Sequence, residues 1–117
     1  MTDSRLYHNP RCSKSREALG LLQQRAVAMQ VIDYLEIPPS ADDLRALLSM
    51  LGLPAHGLLR SGEPEYAELS LGDAGKSDDE LIDAMARHPR LIERPIFVHD
   101  GRAVIGRPPE RVLELLD

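Results

Sequence analysis

Cysteine and histidine are scarce in this sequence of 117 residues. Cys12 is the one cysteine, so an intramolecular disulfide is impossible, and so is a zinc site built from several thiolates. The four histidines lie far apart and form no His-x3-His or His-Glu-x-x-His pair, the local spacings typical of metal ligands. We therefore expect no bound metal or cofactor, and we expect Cys12 to act alone or with a sulfur from another molecule.

Long apolar runs and an excess of positive charge are also absent. The longest apolar stretches span only a few residues, so we expect no membrane span, and the first twenty residues carry charges where a secretory signal would be apolar. The 14 Lys and Arg stand against 19 Asp and Glu, a net charge of −5, which argues against a surface built to bind nucleic acid or anionic lipid. A cytoplasmic protein without nucleic-acid or membrane partners is the default expectation.

The length fits one domain with one hydrophobic core, and no repeat, low-complexity tract or composition shift divides the chain. A first strand is predicted over 4–8, and it ends before Asn9-Pro10 because a proline disfavours helix at the preceding residue. Apolar residues at helical spacing predict a helix over roughly 13–25. The β-branched and apolar segment 27–35 predicts a second strand.

The middle of the chain carries helix start and stop signals. Ser40 is a good N-cap with acidic residues in the turn that follows, and the predicted helix ends at Gly52. Glycines and prolines interrupt the segment 54–76, which predicts broken helical turns and loops rather than sheet. The Ser-x-x-Glu sequence that begins at Ser77 is a capping box, and it predicts another helix that closes at His88.

The end of the chain has the pattern of a hairpin followed by a helix. Two short apolar segments, 96–99 and 102–106, flank Asp100-Gly101, which predicts a type I′ turn between two strands. Two prolines at 108 and 109 can open a last helix. The apolar face of that helix is predicted to hold Val112, Leu113 and Leu116. The predicted order is therefore β-α-β, a helical middle, and β-β-α, an α/β fold.

Cys12 falls between a predicted strand and the first turn of a predicted helix. Unpaired backbone N–H groups and the helix dipole stabilise an anion there, and a thiolate is such an anion. Arg11, Lys14 and Arg16 add nearby cations, which lower a cysteine pKa from about 8.5 to roughly 3.5–7.5. Cys12-x-x-Ser15 resembles a thioredoxin-like redox motif with serine as its second member, so Ser15 is a candidate to hydrogen-bond the sulfur but cannot resolve a disulfide. An inert buried cysteine is the alternative, and these polar neighbours disfavour it.

Three separated segments resemble one known family: Tyr7-His8-Asn9-Pro10-Arg11-Cys12-Ser13-Lys14-Ser15-Arg16, Glu93-Arg94-Pro95-Ile96 and Ile105-Gly106-Arg107-Pro108. Together they resemble the glutaredoxin-dependent arsenate reductases, the ArsC family, over nearly the whole chain. The resemblance implies a single thioredoxin-like domain over 1–117, with a mixed sheet and a helical insertion at about 40–90. It also implies a cis peptide bond before Pro95. Arg11, directly before the cysteine, departs from the family pattern.

The same resemblance assigns candidate site residues. The nucleophilic cysteine of the family matches Cys12, and the histidine that helps to activate the thiol matches His8. Its three oxyanion-binding arginines match Arg60, Arg94 and Arg107. Arg94 and Arg107 fall at predicted strand ends, where a thioredoxin-like fold brings them beside the Cys12 loop, whereas Arg60 rests mainly on the resemblance.

The implied reaction is arsenate reduction. The Cys12 thiolate attacks arsenate, glutathione attacks the adduct as co-substrate, and a separate glutaredoxin reduces the resulting mixed disulfide. A glutathione-dependent thiol reductase with another substrate is one alternative. A Spx-like redox regulator that binds RNA polymerase is a second, which Ser15 disfavours because those proteins usually carry a second cysteine there. We expect a monomer.

Overall fold

The computed structural model describes residues 4–116, which divide into two compact units. The sheet unit comprises 4–37 and 94–116, and the helical unit comprises 38–93. The strands are β1 (Ser4–His8), β2 (Gln30–Asp33), β3 (Ile96–His99) and β4 (Arg102–Ile105). The α-helices are α1 (Ser13–Gln24), α2 (Ala41–Leu51), α3 (Pro64–Glu68) and α4 (Asp78–Arg87). Short 3₁₀ helices span Ala55–Leu58, Pro89–Leu91 and Pro109–Leu116.

The four strands form one mixed sheet in the order β2-β1-β3-β4. β1 and β2 are parallel, as a β-α-β unit requires, and β3 is antiparallel to both β1 and β4. The predicted α/β class and the order β-α-β, helices, β-β-α are confirmed. The prediction that the whole chain is a single domain with an insertion at about 40–90 stays a prediction.

The core of the sheet unit lies between the sheet, α1 and the C-terminal 3₁₀ helix. Leu6 and Phe97 on neighbouring strands are fully buried there, and Ala18 and Leu22, one turn apart on α1, pack against them. Its buried members are Leu6, Ala18, Leu22, Phe97, Val104, Val112 and Leu115. This packing fixes α1, and with it the residues at the N-terminus of α1, on the sheet.

Local capping signals set the ends of the two main helices in the helical unit. Ser40 and Ser77 each close a capping box, in which the serine hydroxyl accepts the N–H of the third helical residue. α2 ends at Gly52 in the left-handed conformation. The predicted helices and the predicted broken turns over 54–76 are confirmed, with one addition, an isolated antiparallel bridge between Leu59 and Ile92.

The predicted turn and the predicted cis proline are also found. Asp100 and Gly101 have φ values of 53° and 79°, the two positive angles of a type I′ turn. The Arg94-Pro95 peptide bond is cis. The Arg107-Pro108 bond is cis as well, which the sequence analysis did not predict.

Both predicted boundaries of β2 are wrong, for local reasons, and β4 ends at Ile105, one residue before its predicted end. β2 spans only Gln30–Asp33 rather than 27–35. At its start, the N–H of Val27 still bonds the carbonyl of Leu22 at the end of α1, with Ala26 left-handed between them. After β2, the N–H of Leu35 donates to the carboxylate of Asp33 and begins a turn.

The last helix is 3₁₀ rather than α, and its buried face differs from the predicted one. Pro109, Val112 and Leu115 are buried, at the three-residue spacing at which 3₁₀ side chains align. Leu113 and Leu116, which were predicted to share the face of Val112, are only partly buried at its margin.

No helix within residues 4–116 is both long and apolar enough to cross a bilayer.

Gly106 lies where the chain cannot hold a larger residue. A Cβ built there would be 2.8 Å from Cγ of Pro95 and 3.0 Å from Cγ1 of Val112, while the N–H of Gly106 bonds the carbonyl of Pro95. The proline ring cannot rotate away, because it is closed onto the backbone of Pro95, directly before β3. Gly106 therefore permits the close approach of β4 to the Arg94-Pro95 segment.

We predict that Gly106→Ala lowers the free energy of unfolding by about 1–3 kcal/mol through overpacking. The matched control is Gly20→Ala on α1, where nothing lies within 4 Å of the added Cβ. Gly20→Ala should raise the free energy of unfolding by about 0.5–1 kcal/mol because alanine favours helix. Urea unfolding of the three proteins measures both changes, and equal stability of Gly106→Ala and the parent would contradict the packing argument.

Candidate active site

Three chain segments meet at one edge of the sheet. Because β3 is antiparallel to both neighbours, Ile96 at its start is paired with the end of β1 and with the last residue of β4. The chain that leaves β1 leads to Cys12, the residue two before β3 is Arg94, and the residue two after β4 is Arg107. The strand pairing thus brings Cys12, Arg94 and Arg107, which are distant in the sequence, to one edge of the sheet.

Cys12 occupies the N-cap position of α1, with extended backbone and a partly exposed free thiol. Its N–H donates to the carbonyl of Asn9 at 3.0 Å, which closes a tight turn after β1. Its own carbonyl accepts the N–H of Arg16, also at 3.0 Å, so the helix begins at the next residue. The side chain therefore lies among N–H groups of the first turn that have no partner within the helix.

The sulfur of Cys12 lies among donors and positive charge. Burial by itself raises the pKa of the Cys12 thiol, but hydrogen bonds from the backbone N–H of Ser15, the side chain of Arg94 and the backbone N–H of Lys14, with the charge of Arg94, outweigh burial. The pKa of Cys12 is therefore held below its ordinary value. Nη2 of Arg107 lies 3.9 Å from the sulfur and adds a second guanidinium to this environment.

The two arginines are tied to each other as well as to the sulfur. Nε of Arg107 donates to the backbone carbonyl of Arg94 at 2.9 Å. This bond leaves the terminal nitrogens of Arg107 directed to the Cys12 side of the segment, since one of them reaches the sulfur. The structure thus brings Cys12, Arg94 and Arg107 together, and their roles toward an oxyanion stay predictions.

Ser15 is fully buried and does not use its hydroxyl on the sulfur. Its Oγ accepts the N–H of Asn9 at 3.0 Å and lies 2.6 Å from Nδ1 of His8. The expectation that the hydroxyl of Ser15 bonds Cys12 is wrong. The backbone N–H of Ser15, and not its hydroxyl, is the group of this residue that helps to lower the pKa of Cys12.

His8 is buried at the end of β1, and its contact is with Ser15 rather than with the thiol. Burial lowers the pKa of His8 below its ordinary value, an effect that Asp33 opposes and that the charge of Arg16 reinforces. His8 is therefore neutral at pH 7, and a neutral Nδ1 can accept the Ser15 hydroxyl proton. This pair joins the end of β1 to the first turn of α1.

Two further hydrogen bonds brace the turn before Cys12. Oδ1 of Asn9 accepts the N–H of Arg11 at 3.0 Å, and Nη1 of Arg16 donates to the carbonyl of Pro10 at 3.0 Å. Arg16 was predicted only as a nearby cation, and its hydrogen bond to Pro10 also stabilises the turn before Cys12.

Arg60 belongs to the helical unit, where its side chain forms an ion pair. Nη1 of Arg60 donates to Oε1 of Glu93 at 2.8 Å, and each side chain is about one quarter exposed. Two backbone hydrogen bonds join the segments that carry this ion pair. The N–H of Arg60 donates to the carbonyl of Leu91, and the N–H of Glu93 donates to the carbonyl of Leu58. No local pattern in the sequence indicates the pairing of Glu93 with a residue 33 positions away. The oxyanion role of Arg60 stays a prediction.

Within residues 4–116, no group of three or more His, Cys, Asp or Glu side chains is arranged to hold a metal ion.

We predict that the rate of Cys12 alkylation by iodoacetamide rises with pH to a midpoint below about 8.5, since only the thiolate reacts. Cys12 is the one cysteine, so the rate reports this thiol alone. Arg94→Ala should move the midpoint upward because it removes a hydrogen bond and a positive charge. Arg45→Ala, at an exposed ion pair of the helical unit, should leave it unchanged. A midpoint at or above about 8.5 in the parent would contradict thiol activation.

Comparison with known proteins agrees with this geometry. A sequence model of the ArsC family matches residues 7–115. The chain is 43% identical over 117 residues to an arsenate reductase of Neisseria meningitidis, covering 99% of this chain and 100% of that one. It is 52% identical over 113 residues to the uncharacterized protein YfgD of Escherichia coli, covering 96% and 95%. A solved structure, an arsenate reductase from Vibrio cholerae, superposes with a TM-score of 0.94 at 53% identity, over 97% of this chain and 98% of that one. With its thioredoxin-like fold, this chain belongs to the ArsC family.

Proposed function

We propose that this protein is an arsenate reductase in which Cys12 is the nucleophile. The observation that carries the proposal is the convergence on one thiol of backbone N–H groups, Arg94 and Arg107. A thiolate beside planar guanidinium donors suits attack on a tetrahedral oxyanion, because the same positive groups favour both anions. We choose arsenate as the substrate because relatives of this chain are named arsenate reductases.

In the first step, the Cys12 thiolate attacks arsenic(V), and one arsenate hydroxyl takes a proton from solvent and leaves as water. The product is a covalent thiol–arsenate adduct, and arsenic keeps its oxidation state. Arg94 and Arg107 neutralise the charge on the arsenate oxygens while the bonds around arsenic change. Arg60 is proposed as a third donor because of the family resemblance. His8 and Ser15 act by holding the first turn of α1, whose N–H groups stabilise the thiolate.

In the second step, glutathione attacks the sulfur of Cys12 and arsenite leaves. The Cys12–arsenic bond breaks with its electron pair on arsenic, so arsenic(V) becomes arsenic(III) while the two sulfurs are oxidised to a disulfide. The chain has no second cysteine for an internal displacement. Glutaredoxin then takes the glutathione by thiol–disulfide exchange and restores Cys12. These thiol donors place the proposed reaction in a reducing compartment, the cytoplasm.

We predict that Arg94→Ala and Arg107→Ala each cost about 1.5–3 kcal/mol of transition-state stabilisation, the usual value of a hydrogen bond to a charged group. The apparent second-order rate constant for arsenate should fall by roughly 10- to 160-fold. Arg60→Ala should behave similarly if Arg60 binds the oxyanion, and an unchanged rate would remove Arg60 from the proposal. Arg45→Ala serves as the control arginine, paired at the surface with Asp42 and Asp79.

The function itself is tested by arsenite production and by intact mass. With arsenate and glutathione but no glutaredoxin, the protein should gain one glutathione per chain, and adding glutaredoxin should give turnover. Cys12→Ser should gain nothing and produce no arsenite, because a serine hydroxyl is a far poorer nucleophile at neutral pH. Failure of the parent to form arsenite with any thiol donor would refute the arsenate reductase proposal.

The same experiment separates a second candidate, a glutathione-dependent thiol reductase with another substrate. The chain is about as similar to YfgD, whose name gives no activity, as to the Vibrio cholerae protein named an arsenate reductase, so assay has to decide the substrate. A parent protein that forms no arsenite would favour the second candidate if oxidised glutathione converts Cys12 to a Cys12–glutathione disulfide, with glutathione released as the leaving thiol, and glutaredoxin then reduces that disulfide.

A further inference from the structure

A cavity of about 310 Å³ opens in the sheet unit beside the turn that leads to Cys12. One wall is that turn, and the other is the segment that follows β2. The lining residues are Asn9, Pro10, Arg11, Asp33, Leu35 and Glu36. The walls are neighbours because β1 and β2 are parallel and end together, with His8 opposite Asp33. Crevices beyond the carboxyl ends of parallel strands are common ligand sites, and this volume suits a small ligand.

Both walls are fixed without a ligand. The N–H of Arg11 donates to the side chain of Asn9 at 3.0 Å, and the N–H of Leu35 donates to the side chain of Asp33 at 3.1 Å. The N–H of Glu36 also bonds the carbonyl of Asp33. A ligand therefore meets a preformed backbone, which lowers the entropy lost on binding.

The charges of the cavity match a small zwitterion rather than an oxyanion. Asp33 and Glu36 contribute two carboxylates and Arg11 contributes one guanidinium, and no ion pair within residues 4–116 joins these three side chains. Two carboxylates repel arsenate, so this cavity has no role in binding that substrate. They attract an ammonium group, and Arg11 attracts a carboxylate a short distance away.

We propose that this cavity binds glutathione for its attack on Cys12. The ammonium group of the γ-glutamyl residue lies between Asp33 and Glu36, and a carboxylate of glutathione binds Arg11. The thiol lies in the middle of the tripeptide, and Cys12 follows Arg11 by one residue, about 3.8 Å between Cα atoms. The inference rests on the proposed function in one respect, that glutathione is the thiol that attacks Cys12.

The test replaces arsenic by a leaving group that is measured directly. Treatment with dithiobis-nitrobenzoate converts the Cys12 thiol to a mixed disulfide with thionitrobenzoate. A glutathione thiolate that attacks the Cys12 sulfur releases coloured thionitrobenzoate and leaves a Cys12–glutathione disulfide, with no other oxidant or reductant needed. The rate is compared for glutathione and for N-acetyl-glutathione, which keeps the thiol and the carboxylates but lacks the ammonium group.

In the parent, glutathione should react about tenfold faster than N-acetyl-glutathione. In the double variant Asp33→Asn, Glu36→Gln the two thiols should react at similar rates. The control is Asp42→Asn, Asp79→Asn, which changes net charge equally at exposed positions of the helical unit and should keep the tenfold preference. Arg11→Gln should slow both thiols, because each retains the carboxylates.

Equal rates for the two thiols in the parent would overturn the proposal, and so would a preference that survives in the Asp33, Glu36 variant. A general effect of Asp33 on the site through His8 would slow 2-mercaptoethanol as well, so that uncharged thiol is measured alongside and should be unaffected. The assay contains no arsenate. Failure of arsenite production therefore leaves this result standing, and loss of the preference leaves arsenite production untouched.

Discussion

The antiparallel pairing of β3 with both β1 and β4 is the constraint on which the site depends. It brings the end of β1, the start of β3 and the end of β4 to one edge of the sheet. Each of these strand ends leads within a few residues to a chemically important side chain, Cys12, Arg94 or Arg107. A shift of register by one residue would turn the buried side chains of a strand to its other face, so the core and the site are fixed by the same pairing.

Opposing effects set the pKa of the Cys12 thiol. Partial burial favours the neutral thiol, whereas N–H groups at the start of α1 and the Arg94 guanidinium favour the thiolate. The donors belong to a rigid helix end and to a segment tied by the bond from Arg107 to the Arg94 carbonyl. Charge on the sulfur is thus met by groups already in place, which is the arrangement that electrostatic stabilisation of a reacting anion requires.

The buried contact between His8 and Ser15 holds in place the backbone that stabilises the Cys12 thiolate. It joins β1 to the first turn of α1, and the backbone N–H of Ser15 is one of the groups that lower the pKa of Cys12. A polar pair in such a position is satisfied on both sides, since Ser15 also accepts the N–H of Asn9. Its hydroxyl therefore acts on the backbone that surrounds Cys12 and not on the sulfur itself.

The sequence by itself determined the features that depend on neighbours a few residues apart. The N-cap at Ser40, the capping box at Ser77, the turn at Asp100-Gly101 and the location of Cys12 ahead of α1 are all local, and each was predicted. The family resemblance added the cis bond before Pro95 and the residues expected at the site. Such signals work because capping, turn geometry and helix dipoles act within about one helical turn.

Only the tertiary structure decided which distant groups touch. The contact of Arg107 with Cys12 joins positions 95 apart, and the pairing of Arg60 with Glu93 joins positions 33 apart. The partner of the Ser15 hydroxyl and the charged cavity beside Arg11 likewise depend on which strands lie side by side. Side-chain hydrogen bonds and ion pairs form over about 3 Å in space, and sequence patterns describe that distance only within one element.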